Sequence, residues 1–210
     1  MNNTLSIPEL LHAVNTADSA AGLIGAVRSL SAVRSPEAVE TLITVLGFNN
    51  PGAAVAAVDG LVALGDTSVP ALLEQLDGYN YGARAWAIRA LAMIGNPQAL
   101  DVLVETARGD FALSVRRAAA KGLGFIDWQK LPENERAIAQ NQAIAALKVA
   151  LNDDEWVVRY ASTVGLYGLA TALLHQNDSI ADIRDCLSAT ACHDTEVVVK
   201  ARAKLALSQL

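Results

Sequence analysis

The sequence predicts an all-α fold, an α-solenoid built from about six stacked helical hairpins. Ala, Leu and Val dominate the composition while aromatic residues make up only 5% of it, which favours helices over strands. The six prolines stand between periodic segments rather than inside them. A two-helix pattern also recurs along the chain, and repeats with a period of about 20 to 50 residues are typical of stacked arrays.

The repeat becomes visible when segments of the chain are aligned with one another. PEAVETLITVL, which begins at Pro36, matches PQALDVLVETA, which begins at Pro97, at apolar and small positions. The corresponding leucines of four successive second helices are Leu61, Leu91, Leu123 and Leu166. Their spacings are 30, 32 and 43 residues, so the last step contains an insertion, which we place in the polar stretch near 125–140. We expect residues 1–210 to form one solenoid domain with this longer connection.

Each hairpin carries its own start and stop signals. A proline or a Ser/Asp cluster begins the first helix, and an Ala-rich second helix ends near Gly65, Gly95 or Gly124. One hairpin cannot bury its apolar face alone, so neighbouring hairpins must stack. The divergent segments 5–35 and 180–210 are the expected end units, because one face of an end unit meets water instead of a neighbour.

An apolar stripe runs along each second helix. In SVRRAAAKGLGFI the stripe consists of Val115, Ala118, Ala119, Gly122 and Ile126. Each of these positions lies three or four residues from another member of the set, and they therefore share one helix face. Trp86 occupies the equivalent stripe of the preceding hairpin, so we interpret it as a core residue rather than a ligand-stacking one.

An acid and an arginine recur at a fixed distance. Asp110 precedes Arg116 by six residues, and Asp153 precedes Arg159 by the same number. Arg84 occupies the equivalent arginine position in the preceding hairpin, but Gly78 stands where the acid would be. Repetition at one register predicts a polar ladder between hairpins, in which bidentate guanidinium geometry fixes each turn.

The stripe and the ladder leave one face of the second helices unassigned. In a solenoid this face lines the concave surface, and here it carries cations, one acid and phenols: Asp59, Arg89, Arg117, Lys121, Tyr160 and Tyr167. We expect these side chains to line a groove; the alternative is an ordinary solvated helix face. Tyr79 and Tyr81 in the turn GYNYG either rim that groove or cap the hairpin.

Charge and hydropathy exclude several classes of function. The net charge of −6 and the isoelectric point near 5.0 provide no basic stripe, so nucleic-acid binding is not expected. The N-terminal segment MNNTLSIPELLHAV lacks the basic and apolar regions of a signal peptide. No apolar run approaches the roughly 20 residues that span a bilayer. We therefore expect a cytoplasmic protein without membrane insertion.

Motifs of conventional catalysis are absent from the sequence. It contains no Gly-rich phosphate loop, no G-x-S-x-G, no HExxH and no CxxC. Cys186, Cys192 and His193 match no ordinary zinc spacing, so no metal site is predicted. In a reducing compartment both cysteines are expected to stay free.

Three segments carry a resemblance to a known family. SVRRAAAKGLG, GYNYGARAWAIRALAMIG and NNPGAAVAAVDGLVALG resemble the HEAT-repeat phycobilin lyases, and within them the F-type subunits of the E/F heterodimers. Val115, Arg116, Ala118, Ala119 and Leu123 occupy the second-helix pattern of that family, and NYGARAW is the more specific part. The resemblance covers nearly all the chain.

The resemblance implies that the chain, with an E-type partner, attaches phycocyanobilin to a cysteine of the phycocyanin α-subunit through a thioether bond. The bilin is then a substrate, and no tightly bound cofactor is expected. The implied roles are pairing of the propionates with Arg89, Arg117 and Lys121, stacking of pyrrole rings on Tyr81 and Tyr160, and Asp59 as the candidate catalytic acid or hydrogen-bond acceptor. A related lyase-isomerase carries an N-H-C-Q-G-N motif that is absent here, so isomerisation is not implied.

Two alternatives remain open at the level of sequence. The first is a non-catalytic HEAT-repeat scaffold or chaperone that binds phycobiliprotein subunits through the same groove. The second is a factor that removes chromophore during phycobilisome degradation.

Overall fold

The computed structural model describes residues 5–77, 81–176 and 179–210. Within these ranges the regular structure is helical, without a strand, and the helices form six hairpins, as predicted. The helices are α1 (Ile7–Asn15), α2 (Ala20–Ala32), α3 (Val39–Leu46), α4 (Pro51–Leu64), α5 (Val69–Glu74), α6 (Tyr81–Ile94), α7 (Leu100–Gly109), α8 (Leu113–Leu123), α9 (Glu133–Ala150), α10 (Trp156–His175), α11 (Ala181–His193) and α12 (Val197–Gln209). The all-α solenoid class is confirmed.

Helix boundaries follow the signals in the sequence. The side chain of Ser19 accepts a hydrogen bond from the Gly22 N–H at 3.1 Å, and that of Asn50 accepts one from the Ala53 N–H at 3.1 Å, so both cap free amides at a helix start. Gly65 and Gly95 follow second helices with φ of 61° and 70°, a conformation that glycine adopts without steric cost.

The chain comprises two compact units, Met1–Ile94 and Gly95–Leu210. In the first unit, α4 packs against both α2 and α6, and α1, α3 and α5 pack against these second helices. The largest fully buried side chains of this unit are Leu30, Leu42, Leu46, Leu61, Leu72, Ile88 and Leu91. Their burial between the two helix layers supplies the hydrophobic stabilisation that a lone hairpin lacks.

The second unit repeats this two-layer arrangement. α10 packs against α8 and α12, and α7, α9 and α11 pack against these second helices. Its fully buried large side chains are Leu103, Leu123, Leu147, Leu166 and Leu169. The segment 125–140 contains a short 3-10 turn, Trp128–Lys130, and the first part of α9. Helix α9 has 18 residues, whereas α7 has 10. A single domain over residues 1–210 stays a prediction.

The expectation that no apolar run approaches membrane-spanning length is wrong for two segments. Pro51–Glu74 and Trp156–His175 are long and apolar enough by composition. Both consist mainly of the Ala, Gly, Val and Leu residues through which second helices pack, and 44% and 50% of an 18-residue apolar stretch in each are buried inside the protein. Buried core helices and membrane spans share this composition, so length and composition alone do not indicate a membrane span.

Candidate functional site

Helices α8 and α10 approach each other until their backbones touch. A Cβ atom added to Gly165 would lie 2.3 Å from the carbonyl oxygen of Ala120. One added to Gly124 would lie 2.4 Å from the oxygen of Gly165, and one added to Gly168 would lie 2.3 Å from that of Gly124. Only glycine permits contacts this close. The side chains on the exposed faces of the two helices are therefore neighbours.

The predicted polar ladder fixes the register between these helices. Arg116 on α8 donates to both carboxylate oxygens of Asp153, from Nε at 2.6 Å and from Nη2 at 2.9 Å. Its Nη1 donates to the carbonyl oxygen of Asp110 at 2.7 Å. The arginine thus joins the turn before its own helix to the turn before α10, and the prediction for Arg116 is confirmed.

The next rung of the ladder has the same geometry. Arg159 on α10 donates to Asp194 from Nε at 2.8 Å and from Nη2 at 3.0 Å, and to the carbonyl oxygen of Asp153 at 2.9 Å. The structural prediction for Arg159 is confirmed as well. Lys200 occupies the third position of the series, six residues after Asp194. The ladder role of Arg84 stays a prediction.

The ladder lowers the pKa of its acids. Partial burial raises the pKa of the Asp153 carboxyl, but the hydrogen bonds from Arg116 and from the Glu155 N–H outweigh it, and the net pKa lies below the ordinary value. The hydrogen bonds from Arg159 hold the pKa of Asp194 below its ordinary value in spite of burial. Both acids are therefore structural anions, not proton donors.

Because Arg116 and Arg159 are equivalent in the repeat, the residues around them can be matched between the two helices. Leu113 corresponds to Trp156, Arg117 to Tyr160, and Gly124 to Tyr167. We call the exposed side chains of this surface the α8–α10 face; they are Leu113, Arg117 and Lys121 on α8 and Trp156, Tyr160 and Tyr167 on α10. Arg117 and Lys121 are exposed, Leu113, Trp156 and Tyr160 are 41%, 43% and 38% exposed, and Tyr167 is half-buried.

The α8–α10 face combines cationic and aromatic side chains. Arg117 and Lys121 are one helical turn apart and carry positive charge. Trp156 and Tyr160 are likewise one turn apart on the neighbouring helix and offer aromatic surface. Such a surface can bind a flat apolar molecule that carries carboxylates, since the rings stack and the cations pair with the anions.

The other residues of the predicted groove belong to the first unit. Asp59 on α4 and Arg89 on α6 are exposed, and the Arg89 guanidinium lies over the ring of Trp86, 5.6 Å from its centroid. Tyr79 and the side chain of Tyr81 lie outside the described residues. One surface formed by Asp59 and Arg89 together with the α8–α10 face stays a prediction.

The interpretation of Trp86 as a core residue is wrong. Its side chain is half-buried, and Arg89 covers part of the ring. The equivalent residue of α8, Ala118, is also half-buried. This register position therefore lies at the edge of the apolar stripe, where an alanine and an indole are both tolerated.

One residue of this region was not predicted as a site residue. Arg202 on α12 holds its guanidinium over the ring of Tyr167, 5.1 Å from the centroid. The signal in the sequence was an arginine at a stripe position that is alanine in α8 and α10. The contact with Tyr167 itself depends on how the helices pack.

The cysteines and the acids suggest no further chemistry on this surface. Cys186 is half-buried and Cys192 exposed, both are free thiols, and burial raises the pKa of Cys186. Within the described ranges, no three His, Cys, Asp or Glu side chains are grouped as a metal site would need. The α8–α10 face offers binding groups and no nucleophile with an adjacent base.

A cleft on the opposite layer of the second unit has a different character. It has a volume of about 310 Å³ and lies between α7 and the beginning of α9. The carboxylates of Asp101 and Glu135 line it beside Leu100 and Ile138. These negative charges make it a poor site for a carboxylate ligand.

The chain matches one family model and is similar to proteins of known function. Residues 69–167 match the family model of HEAT repeats. The chain is 57% identical over 179 residues to the phycocyanin alpha phycocyanobilin lyase CpcF of Synechocystis sp. PCC 6803, covering 85% of this chain and 84% of that protein. It is 53% identical to a phycobilisome maturation protein of Synechococcus elongatus, covering 96% and 97%.

A solved structure shows the same similarity in three dimensions. A chain in the complex of CpcE and CpcF of phycocyanin lyase from Nostoc sp. PCC 7120 superposes with a TM-score of 0.75 at 48% identity. The match covers 82% of this chain and 99% of that one.

Proposed function

Because this chain belongs to the family of phycocyanobilin lyase subunits that includes CpcF, we propose that it is one subunit of a heterodimeric lyase. With an E-type partner, the lyase attaches phycocyanobilin to a cysteine of the phycocyanin α-subunit through a thioether bond. The same site holds the bilin when the reaction runs in reverse or when the bilin is transferred. The bilin is a transient substrate, the chain needs no tightly bound cofactor, and its compartment is the cytoplasm.

The observation that carries the site assignment is the pairing of cations with aromatic rings on the α8–α10 face. Phycocyanobilin is a conjugated chain of four pyrrole-derived rings with two propionate side chains. Arg117 and Lys121 pair with the propionates, and Tyr160 and Trp156 stack on the rings. The anionic and apolar parts of the bilin thus meet their partners on adjacent helices.

Catalysis in this proposal consists mainly of positioning. The acceptor subunit supplies the nucleophile, a cysteine thiol, so the lyase subunit needs none of its own. Holding the bilin in one orientation against that thiol replaces a bimolecular encounter by an oriented one. Asp59, which is exposed on α4, is the proposed acceptor for pyrrole N–H groups and the candidate for keeping the ring system protonated.

The close contact of α8 and α10 gives the site its rigidity. Backbones that touch at Gly124, Gly165 and Gly168 cannot slide without steric clash. The Arg116 to Asp153 pair fixes the helix starts in addition. The cations of α8 therefore keep a constant spacing from the rings of α10, as a positioning catalyst requires.

Co-expression of this chain with an E-type partner, apo α-subunit and phycocyanobilin tests the proposal. A fluorescent covalent adduct above the spontaneous background, lost when this chain is omitted, is the expected result. Complex formation with the α-subunit but no additional adduct would instead identify a scaffold or chaperone. Incubation with the holo-subunit completes the comparison, because net loss of its bound bilin without any adduct formation would identify a chromophore-removing factor.

A further inference from the structure

Arg202 lies at the edge of the apolar stripe of α12 and is half-buried. Its neighbours in the stripe of α12, namely Val199, Ala203 and Ala206, are all buried. The equivalent residue is Ala118 in α8 and Ala161 in α10, eight residues after the ladder acid in each helix. Trp86 holds the same position in α6, so the site accepts side chains of different size, and packing alone does not require a charged one.

The guanidinium of Arg202 is only partly paired. Its plane lies over Tyr167, whose ring faces a cation favourably at 5.1 Å. Its Nη1 atom is buried and makes no hydrogen bond within the described part of the protein. A buried, unpaired donor on a charged group is costly, and such groups in folded proteins usually have a partner.

Tyr167 links this guanidinium to the α8–α10 face. It lies on the same side of α10 as Tyr160, seven residues further along, which is about 10.5 Å at the helical rise per residue. Arg202 reaches the face from the α12 side, whereas Arg117 and Lys121 reach it from the α8 side. A ligand lying along α10 is thus met by cations from both flanking helices.

We propose that Arg202, held by Tyr167, forms a subsite for a carboxylate, and that the carboxylate is one propionate of the bilin. This inference rests on the proposed function. A planar guanidinium binds a carboxylate through two parallel N–H donors. Because Nη1 is buried, the carboxylate meets the edge formed by Nε and Nη2. The Tyr167 ring holds the Arg202 guanidinium in its orientation when no ligand is bound.

The stability of the free protein separates a binding role from a structural one. A structural arginine would lower the melting temperature when it is removed. Arg202→Ala, which restores the residue found at this position in α8 and α10, is expected to leave the melting temperature unchanged or raise it, because a poorly paired buried group is lost. A melting temperature lower by about 3 °C or more, roughly the effect of 1 kcal/mol in a chain of this length, would contradict the inference.

The binding experiment uses the heterodimer with its E-type partner and two probes, phycocyanobilin and its uncharged dimethyl ester. Arg202→Ala is expected to bind the free acid about tenfold more weakly, the usual effect of losing a charged hydrogen bond. It should bind the ester like wild type. Lys204→Ala, an exposed cation on the same helix, is the matched control and should change neither affinity.

Four other outcomes are informative. Equal loss of affinity for acid and ester would overturn the carboxylate subsite. An unchanged bilin affinity with weaker binding of the E-type subunit would also overturn it, and would assign Arg202 to an acidic side chain of the partner. Failure of the wild-type heterodimer to bind the free acid would refute both the inference and the bilin site on the α8–α10 face. If wild type binds the free acid and Arg202→Ala binds it equally well, only the inference is refuted.

Discussion

Arg159 and Asp194 form a bidentate ion pair, with nitrogen to oxygen distances of 2.8 and 3.0 Å. The two side chains are only 12% and 4% exposed. The pair joins the start of α10 to the turn before α12, as Arg116 and Asp153 join α8 to the turn before α10. The N-terminal ends of α8, α10 and α12 are therefore fixed relative to one another along the helix axes, and this places the cations beside the aromatic rings.

Asp194→Ala is expected to lower the free energy of unfolding by about 3 kcal/mol, because it leaves the Arg159 guanidinium half-buried and unpaired. The exposed pair of Lys148 and Asp182 provides the control. Asp182→Ala should cost less than about 1 kcal/mol, since exposed ion pairs contribute little. Urea denaturation of the two variants measures the difference, and equal losses would contradict a structural ladder.

Acid should weaken the ladder. The folded-state pKa values of Asp153 and Asp194 lie below the ordinary value of 3.8. Their contribution to stability is therefore complete above about pH 4 and is lost as the pH falls through the folded-state values. Denaturation curves at pH 7 and pH 3 should show a smaller loss in Asp194→Asn than in wild type. An identical loss in both proteins would show that Asp194 makes no such contribution.

Gly165→Ala should separate α8 from α10. The new methyl group would meet the Ala120 carbonyl oxygen at 2.3 Å, and overpacking of this kind costs about 1 to 3 kcal/mol. Bilin affinity should fall with stability, because the cations and rings move apart. Gly25→Ala in α2, where the added atom meets nothing within 4 Å, is the control and should be neutral or stabilising. Thermal melts and a bilin titration provide both readouts.

Tyr160 is expected to act through its ring. Tyr160→Ala should weaken bilin binding about three- to tenfold, corresponding to the roughly 0.5 to 1.5 kcal/mol of an aromatic contact. Tyr160→Phe keeps the ring and should bind within about twofold of wild type. Absorbance titrations of phycocyanobilin compare the three proteins. Similar losses in both variants would indicate a role for the phenol hydroxyl instead of stacking.

Much of this structure follows from local patterns in the sequence. The hairpins, their glycine ends and the ladder of Arg116 and Arg159 were predictable, since helical period, capping residues and a repeated spacing are properties of short segments. The face that carries Arg117, Lys121 and Tyr160 was predictable in the same way, because the repeat register decides which side of each helix remains exposed.

Other features depend on packing between helices and were not predictable. The half-exposed ring of Trp86 reflects its position at the edge of a stripe that looks apolar in sequence. The Arg202 guanidinium reaches Tyr167 across a helix boundary, and neither segment alone encodes that contact. The backbone contact of Gly124 with Gly165 likewise becomes visible only when α8 and α10 are placed side by side.

The most direct test of the bilin site is a titration of phycocyanobilin into the heterodimer that contains Arg117→Glu and Lys121→Glu together. Both charges facing the propionates are then reversed, so affinity should fall about tenfold or more, with the helical circular dichroism unchanged. Arg108→Glu, on the other helix layer of the same unit, should bind like wild type. Equal affinity of the double variant and the wild type would contradict the assignment of the bilin to the α8–α10 face.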